Sequence, residues 1–264
     1  MAVFRGTIRS RCLRIDTTVN VIVPYEQHYI MSKTPPDKTV ILLHGIKQNA
    51  DTWTRMSRVE QFAHRVGFNV VIPDGQRSFY SNMAHGLPYF DYITNELPEA
   101  IDKIFHIPLD ADHLYAAGLS MGGFGALKCA LTYPDRFAGA MSYSGALRSL
   151  QTVSENTDIF PLPEFQAVLG DDLRCGPEND LFRLAEKAAS APRKPRLYIA
   201  CGTEDSLLDD NRAFRDKALS LHYDVTYEEW PGIHDWAFWD RACGRSFACM
   251  AVSPLPSRFR KTMK

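Results

Sequence analysis

The chain has 264 residues, 45% of them hydrophobic and 23% charged, with 30 Lys and Arg against 31 Asp and Glu for a formal charge of −1. That composition is enough to bury a core and excludes a largely disordered protein. The even charge balance argues against a nucleic-acid partner, which usually needs a basic stripe, and no stretch approaches the roughly 18 apolar residues of a membrane span.

In chain order, residues 3–8 and 12–23 alternate as strands do, and they predict an antiparallel edge hairpin. A turn at Pro35-Pro36-Asp37 leads into 39–43, an unbroken aliphatic and β-branched run of the kind buried on both faces of a parallel sheet. A short helix over 59–66 and a second buried strand over 69–73 follow. Residues 89–107 have helical periodicity, with Ile93, Leu97, Ile101 and Ile104 on one face; Pro98 must sit early in this helix or kink it. Next come a strand over 113–117, a helix over 121–131 and a strand over 137–143. The stretch 147–192 is longer, more polar and irregular, with helical pieces near 164–169 and 181–189. Beyond it are a strand (196–201), a helix (211–222), a strand (225–230) and a closing helix (234–250). Strands alternating with helices predict one α/β domain over 1–264, with a mostly parallel central sheet and helices on both faces. Residues 147–192 read either as a plain long loop or as a small cap over a site.

Cys12, Cys129, Cys175, Cys201, Cys243 and Cys249 are scattered, several of them inside apolar runs, and read as reduced thiols. The opening residues MAVFRGTIRSRC contain no apolar stretch of signal-peptide length. A cytoplasmic location is therefore expected. Arg258, Arg260, Lys261 and Lys264 form the one basic cluster, which reads as a solvated tail.

The most informative motif is Gly118-Leu119-Ser120-Met121-Gly122, a G-x-S-x-G entered by a strand and left by a helix. That context is the nucleophile elbow of α/β-hydrolases. Glycines two residues either side let the chain reverse sharply without a clash. The turn lifts the Ser120 hydroxyl clear of the sheet, at the positive end of a helix. The segment also looks like the glycine-rich turn of a dinucleotide fold, but Phe124 stands where a short-chain dehydrogenase pattern wants glycine, and the motif lies mid-chain.

Serine needs a base, and the base an orienting acid. The order along such a chain is Ser, Asp or Glu, then His. After Ser120 only His222 and His234 remain. His222 falls at the end of a helix, whereas His234 follows a strand and the turn Trp230-Pro231-Gly232-Ile233. His234 is the candidate base. The strand 196–201 ends in Gly202-Thr203-Glu204-Asp205; either acid could reach the imidazole, and Asp205 is preferred to Glu204. Asp209 and Asp210 are accounted for by the start of the next helix. The tetrahedral intermediate needs backbone donors: Met121 N–H supplies one, and the loop His44-Gly45-Ile46 the other, with Ile46 as donor and His44 structural.

Several separate segments together resemble one family. Leu42-Leu43-His44-Gly45 with Trp53, Gly118 to Gly123, Ser142-Tyr143-Ser144-Gly145-Ala146-Leu147, Cys201-Gly202-Thr203-Glu204-Asp205 and Gly232-Ile233-His234-Asp235-Trp236 are similar to the Putative esterase branch of the α/β-hydrolases. That branch holds S-formylglutathione hydrolases, feruloyl esterases and mycolyltransferases, and the likeness is greatest to tributyrin-esterase-like proteins. It runs from about Val21 to Trp239. It implies Ser120, Asp205 and His234 as a catalytic triad, Ile46 and Met121 as oxyanion donors, and ester hydrolysis with no metal or cofactor. The loop Ile46-Lys47-Gln48-Asn49-Ala50 departs from the glycine and asparagine that often follow the apolar residue.

The expected function is a serine esterase for short-chain acyl esters or acetylated or feruloylated sugars. Acyl transfer or thioester hydrolysis by the same triad is the alternative, and a non-catalytic binding protein on a hydrolase scaffold is the reading from another class. Trp53, Tyr80, His85, Phe124 and Trp236 are candidate substrate-binding residues; core packing is the plain alternative for the aromatics. The partner is a small-molecule or sugar ester, and a homo-oligomer is compatible with the resemblance.

Overall fold

The computed structural model describes residues 1–26, 37–153 and 160–252. Pro35 and Pro36 and the basic cluster at the end of the chain lie outside the described residues. The elements are β1 (Ala2–Arg9), β2 (Asp16–Val23), β3 (Lys38–Leu43), α1 (Thr52–Met56), α2 (Val59–Val66), β4 (Phe68–Pro73), α3 (Tyr89–Asp91), a π-helical turn (Tyr92–Glu96), α4 (Leu97–Phe105), β5 (Leu114–Leu119), α5 (Met121–Thr132), β6 (Gly139–Tyr143), α6 (Leu162–Leu169), α7 (Leu181–Ala189), β7 (Arg196–Gly202), α8 (Leu208–Ser220), β8 (Val225–Trp230) and α9 (Trp236–Ala251). Among the described residues no helix is long and apolar enough to cross a membrane.

The strands form one 8-stranded sheet in the order β1-β2-β4-β3-β5-β6-β7-β8. β2 runs antiparallel to both β1 and β4, and every other pairing is parallel. This is the predicted α/β architecture with its antiparallel N-terminal edge. Side chains of the parallel strands alternate between two cores. Val40 and Leu42 enter one and Ile41 and Leu43 the other; Tyr115 and Ala117 are likewise separated from Leu114 and Ala116. Helices α2 and α9 cover the first core, and α4, α5, α7 and α8 the second. Burial on both faces is why 39–43 carries no polar alternation beyond Thr39. Strand β1, paired on one side only, is exposed along most of its length.

Some boundaries differ from those expected. Residues 12–15 belong to a tight hairpin turn and not to the second strand: Ser10 N–H donates to the Ile15 carbonyl, and Arg14 has a φ of 56°. Buried Glu96 holds that turn, accepting from Ser10 Oγ at 2.6 Å and from the Arg11 and Cys12 N–H groups at 2.5 and 2.9 Å. The helix predicted over 89–107 is continuous, but it widens into the π-turn just before Pro98. Proline has no N–H to give the Thr94 carbonyl, and the Arg136 guanidinium donates to that carbonyl instead. Ile93, Leu97 and Ile101 are buried as expected; Ile104 is 56% exposed, and the neighbouring Phe105 packs against Phe4.

Helix α5 is buried along its length between the sheet and α7, and Lys128 is buried with it. Its ammonium donates to Ser81 Oγ at 2.9 Å and Asn179 Oδ1 at 2.6 Å, and lies 4.5 Å from the Phe90 ring centroid. Burial pushes the Lys128 pKa down to about 8, against about 10.4 in an unfolded chain. Below both values the two states are equally protonated. Between them the unfolded state keeps a proton that the folded state has released, so this residue makes stability rise with pH from about 8 to about 10. We expect the stability of the wild type relative to Lys128→Met to grow by on the order of 3 kcal/mol across that window. Urea denaturation of both proteins at each pH reads the difference. A constant gap would show that Lys128 does not titrate there.

Candidate active site

In open α/β sheets, ligands bind beyond the carboxyl ends of the strands where strand order reverses. Here β4 lies on one side of β3 and β5 on the other, so the reversal falls between β3 and β5. Leu43, the last residue of β3, pairs with Gly118 near the end of β5. The loop after β3 and the turn after β5 therefore emerge side by side.

Ser120 occupies that turn with φ 53° and ψ −118°, a strained backbone for a residue with a side chain. The surroundings impose it. Ser120 N–H donates to the Tyr143 carbonyl at 2.9 Å, and the Ser120 carbonyl accepts from Gly123 and Ala146 N–H at 3.0 Å each. The flanking glycines are sterically required: a Cβ on Gly118 would lie 2.4 Å from the Gly122 backbone, and one on Gly122 would lie 2.3 Å from the Leu43 carbonyl oxygen.

Asp205 follows β7 and His234 follows β8. Their loops are tied together: Glu204 N–H donates to the Gly232 carbonyl at 3.1 Å, and Gly232 N–H to Glu204 Oε2 at 2.5 Å. This separates the two acids left open by the sequence. Glu204 braces the backbone of the His234 loop, while Asp205 Oδ2 accepts from His234 Nδ1 at 2.9 Å. The other Asp205 oxygen accepts from Leu207 N–H at 2.9 Å. Burial by itself raises the Asp205 pKa, but the hydrogen bond and charge of His234, with the Leu207 N–H, outweigh it and hold the carboxyl below the ordinary carboxylate range. On the far side of the ring, Ser120 Oγ lies 3.0 Å from His234 Nε2. Asp235 caps α9 by accepting from Phe238 N–H, and the His234 ring meets Trp239 edge-to-face with centroids 4.9 Å apart.

The side of the site formed by β3 is set by buried His44. Gly75 N–H donates to His44 Nε2 at 2.9 Å, so the ring proton sits on Nδ1, which donates to the Gly45 carbonyl at 2.8 Å. Gln48 N–H donates to the same carbonyl. A trans peptide sends its N–H opposite to its carbonyl, which leaves the Ile46 N–H on the other edge of that plane. Ile46 and Met121 both line, with Ser120 and His234, one cavity of about 350 Å³. The remaining wall is largely apolar, with Phe79, Phe160, Phe165, Leu207 and Trp239.

Ser120, Asp205, His234, Ile46 and Met121 thus come together; the expected substrate-binding residues do not. Trp53 is fully buried behind β3, its Nε1–H donating to the Leu43 carbonyl at 3.1 Å. Tyr80 is buried as well, its hydroxyl donating to the His44 carbonyl at 2.8 Å. Phe124 packs one layer back, against Phe79. Trp236 leans on Trp53 and Trp239 beside a shallow surface cleft with Met56 and Asp240. His85 points to solvent next to Asp171, and its backbone is pinned to the end of α6. The residues that do line the cavity include Phe160 and Phe165, which the sequence reading missed. The one available signal was their place in the irregular 147–192 stretch. Phe79 faces the cavity while Tyr80 faces the core, in a turn where both adopt left-handed backbone, with φ of 50° and 48°; no side-chain pattern announces that.

A profile of the family described as "Putative esterase" matches residues 10–243. The chain is 30% identical over 262 residues to an acetyl esterase of Caldicellulosiruptor saccharolyticus, covering 95% of this chain and 98% of that one. Among solved structures, the fluorophosphonate-binding serine hydrolase F of Staphylococcus aureus superposes with a TM-score of 0.83 at 32% identity, covering 96% of this chain and 99% of that one. An S-formylglutathione hydrolase of the same organism gives 0.81 at 32% identity, covering 95% and 99%.

Proposed function

The chain belongs to the Putative esterase family and is a carboxylic ester hydrolase, and from that premise we propose that it cleaves esters of small acyl groups through an acyl-Ser120 intermediate. Ser120 Oγ attacks the ester carbonyl as His234 Nε2 takes its proton. Asp205 holds the ring with its proton on Nδ1 and stabilises the imidazolium. The Ile46 and Met121 N–H groups receive the oxyanion. His234 then protonates the leaving alcohol, and water, activated by the same ring, releases the acid. The observation that best supports this is the unbroken hydrogen-bonded run from buried Asp205 through His234 to Ser120, opening on the cavity.

The described part of 147–192 acts as a cap, since it contributes Ser149, Phe160 and Phe165 to the cavity wall. The wall is apolar and the space modest, which favours a short acyl chain over a long one. The acetyl esterase among the relatives fits that size. The S-formylglutathione hydrolase favours a second reading, hydrolysis of thioesters of equally small acyl groups, by the same steps with a thiol leaving. Free cysteines throughout support a reducing, cytoplasmic setting.

An ester series tests the size argument. With p-nitrophenyl acetate, butyrate, hexanoate and octanoate, kcat/KM should fall beyond the four-carbon ester. Phe160→Ala should move the optimum to longer chains by opening the wall. A wild type that prefers octanoate would overturn the short-acyl reading.

A further inference from the structure

Arg77 lies in the loop after β4, outside the run of groups that handles the proton. Its Nη1 donates to the Ile46 carbonyl at 3.2 Å, its Nε donates to Glu164 Oε2 at 2.7 Å, and its guanidinium carbon sits 5.5 Å from the Phe160 ring centroid. One side chain therefore touches the loop that carries the proposed oxyanion donor, helix α6 of the cap, and an aromatic of the cavity wall. Phe160 in turn packs against Phe165 and Phe79, with centroids 4.5 and 5.1 Å apart.

We propose that Arg77 is a positioning residue for the ester reaction, clasping the cap to the oxyanion loop so that the Ile46 N–H and the aromatic wall face Ser120 together. The proposal rests on the esterase reading given above. The geometry gives it a specific task. The peptide before Ile46 is held at the Gly45 carbonyl by His44 Nδ1 and Gln48 N–H. The peptide after it is held at the Ile46 carbonyl by Arg77. The Ile46 N–H lies in the first of these planes, and fixing the second holds the loop on which the first plane rides. The planar guanidinium can do this while gripping Glu164, because its donors form a rigid fork. The Arg77 and Glu164 side chains are 38% and 36% exposed. An ion pair so accessible adds little to folding stability, which separates positioning from a purely structural role.

The test is kcat and KM on p-nitrophenyl acetate and hexanoate for the wild type, Arg77→Ala, Arg77→Lys and Glu164→Gln, with Ser120→Ala as the blank and thermal melting of each. Losing one oxyanion donor costs about 10² to 10³ in kcat; loosening it should cost less. Arg77→Ala is expected to lower kcat on acetate roughly ten- to a hundredfold, with KM within about twofold and melting nearly unchanged. Arg77→Lys keeps the charge but not the fork, so it should recover only part of that loss. Glu164→Gln removes the charge and weakens the cap side alone, and should change the acetate-to-hexanoate ratio more than the acetate kcat. Should Arg77→Ala fail to fold, Arg77→Lys carries the test, and a kcat equal to wild type overturns the clasp. A Ser120-dependent wild type matched by Arg77→Ala within twofold overturns the clasp alone. A loss below about tenfold in folded Ser120→Ala overturns the acyl-Ser120 reading, and the clasp with it.

Discussion

Ser120→Ala is expected to lower kcat on p-nitrophenyl acetate by on the order of 10⁴ to 10⁶, and to abolish covalent labelling by a fluorophosphonate. The hydroxyl is the group in the cavity that lies within hydrogen-bond reach of a base already bonded to a buried carboxylate. Without Oγ there is no acyl-enzyme. What survives is attack by water on an ester still held against the oxyanion donors. The substitution should leave the fold intact. The turn is held by backbone contacts: Ser120 N–H to Tyr143, and the Ser120 carbonyl to Gly123 and Ala146. Alanine also meets the φ of 53° with the same Cβ that serine has. The melting temperature should therefore move little while activity collapses. A loss below tenfold in a folded variant would sink Ser120 as nucleophile.

The second large effect belongs to Asp205→Asn, expected to cost about 10⁴ in kcat. The reason is a proton on the wrong nitrogen. Leu207 N–H donates to Asp205 Oδ1, and an asparagine would keep its oxygen there. Its amide NH₂ would then face His234 Nδ1, which must become an acceptor. The ring proton moves to Nε2, the atom 3.0 Å from Ser120 Oγ, and Nε2 can no longer take the serine proton. Glu204→Gln should do far less to kcat, since Glu204 holds the Gly232 backbone and does not touch the ring. If Glu204→Gln proves the more damaging change, the acid has been assigned to the wrong residue. The pairing also has a pH signature. The Asp205 pKa is lowered in the fold, so the stability it contributes is present above the unfolded value near 4 and is lost as pH falls through the lowered one. Asp205→Asn should remove that part of the acid sensitivity.

The arrangement explains why much of the site could be read directly from the chain. A nucleophile elbow needs small residues at fixed offsets around a serine, because the backbone at Gly118, Gly122 and Leu43 closes to within a Cβ's reach; that demand is local and leaves a motif. A strand buried on both faces is apolar at most positions, so β3, β4 and β5 declare themselves as nearly unbroken runs, with Thr39 and Asn69 as buried exceptions. Acid and base must follow the ends of particular strands, so chain order and strand ends were enough to place His234 and to narrow the acid to Glu204 or Asp205. The choice between Asp205 and Glu204 needed the structure, since adjacent residues at a loop point in opposite directions.

The lining of the cavity is a different kind of property. Trp53, Tyr80, Phe124 and Trp236 have the same chemistry as Phe79, Phe160, Phe165 and Trp239, and all of them sit near the ends of catalytic strands or in the segment above. Which of them line the cavity and which fill the core depends on the left-handed turn at Phe79 and Tyr80, on Trp53 sitting behind β3, and on α6 carrying Phe165 into the cavity wall. Arg77 is the same case: nothing local marks it, and its meaning comes from Ile46 and Glu164 arriving at one guanidinium from distant parts of the chain. By itself the sequence determined the sheet, the elbow and the strand ends at which Ser120 and His234 sit, because each rests on short-range sterics or on strand order. Only the tertiary structure decided the walls of the pocket and what holds them, because those depend on which surfaces long-range packing turns inward.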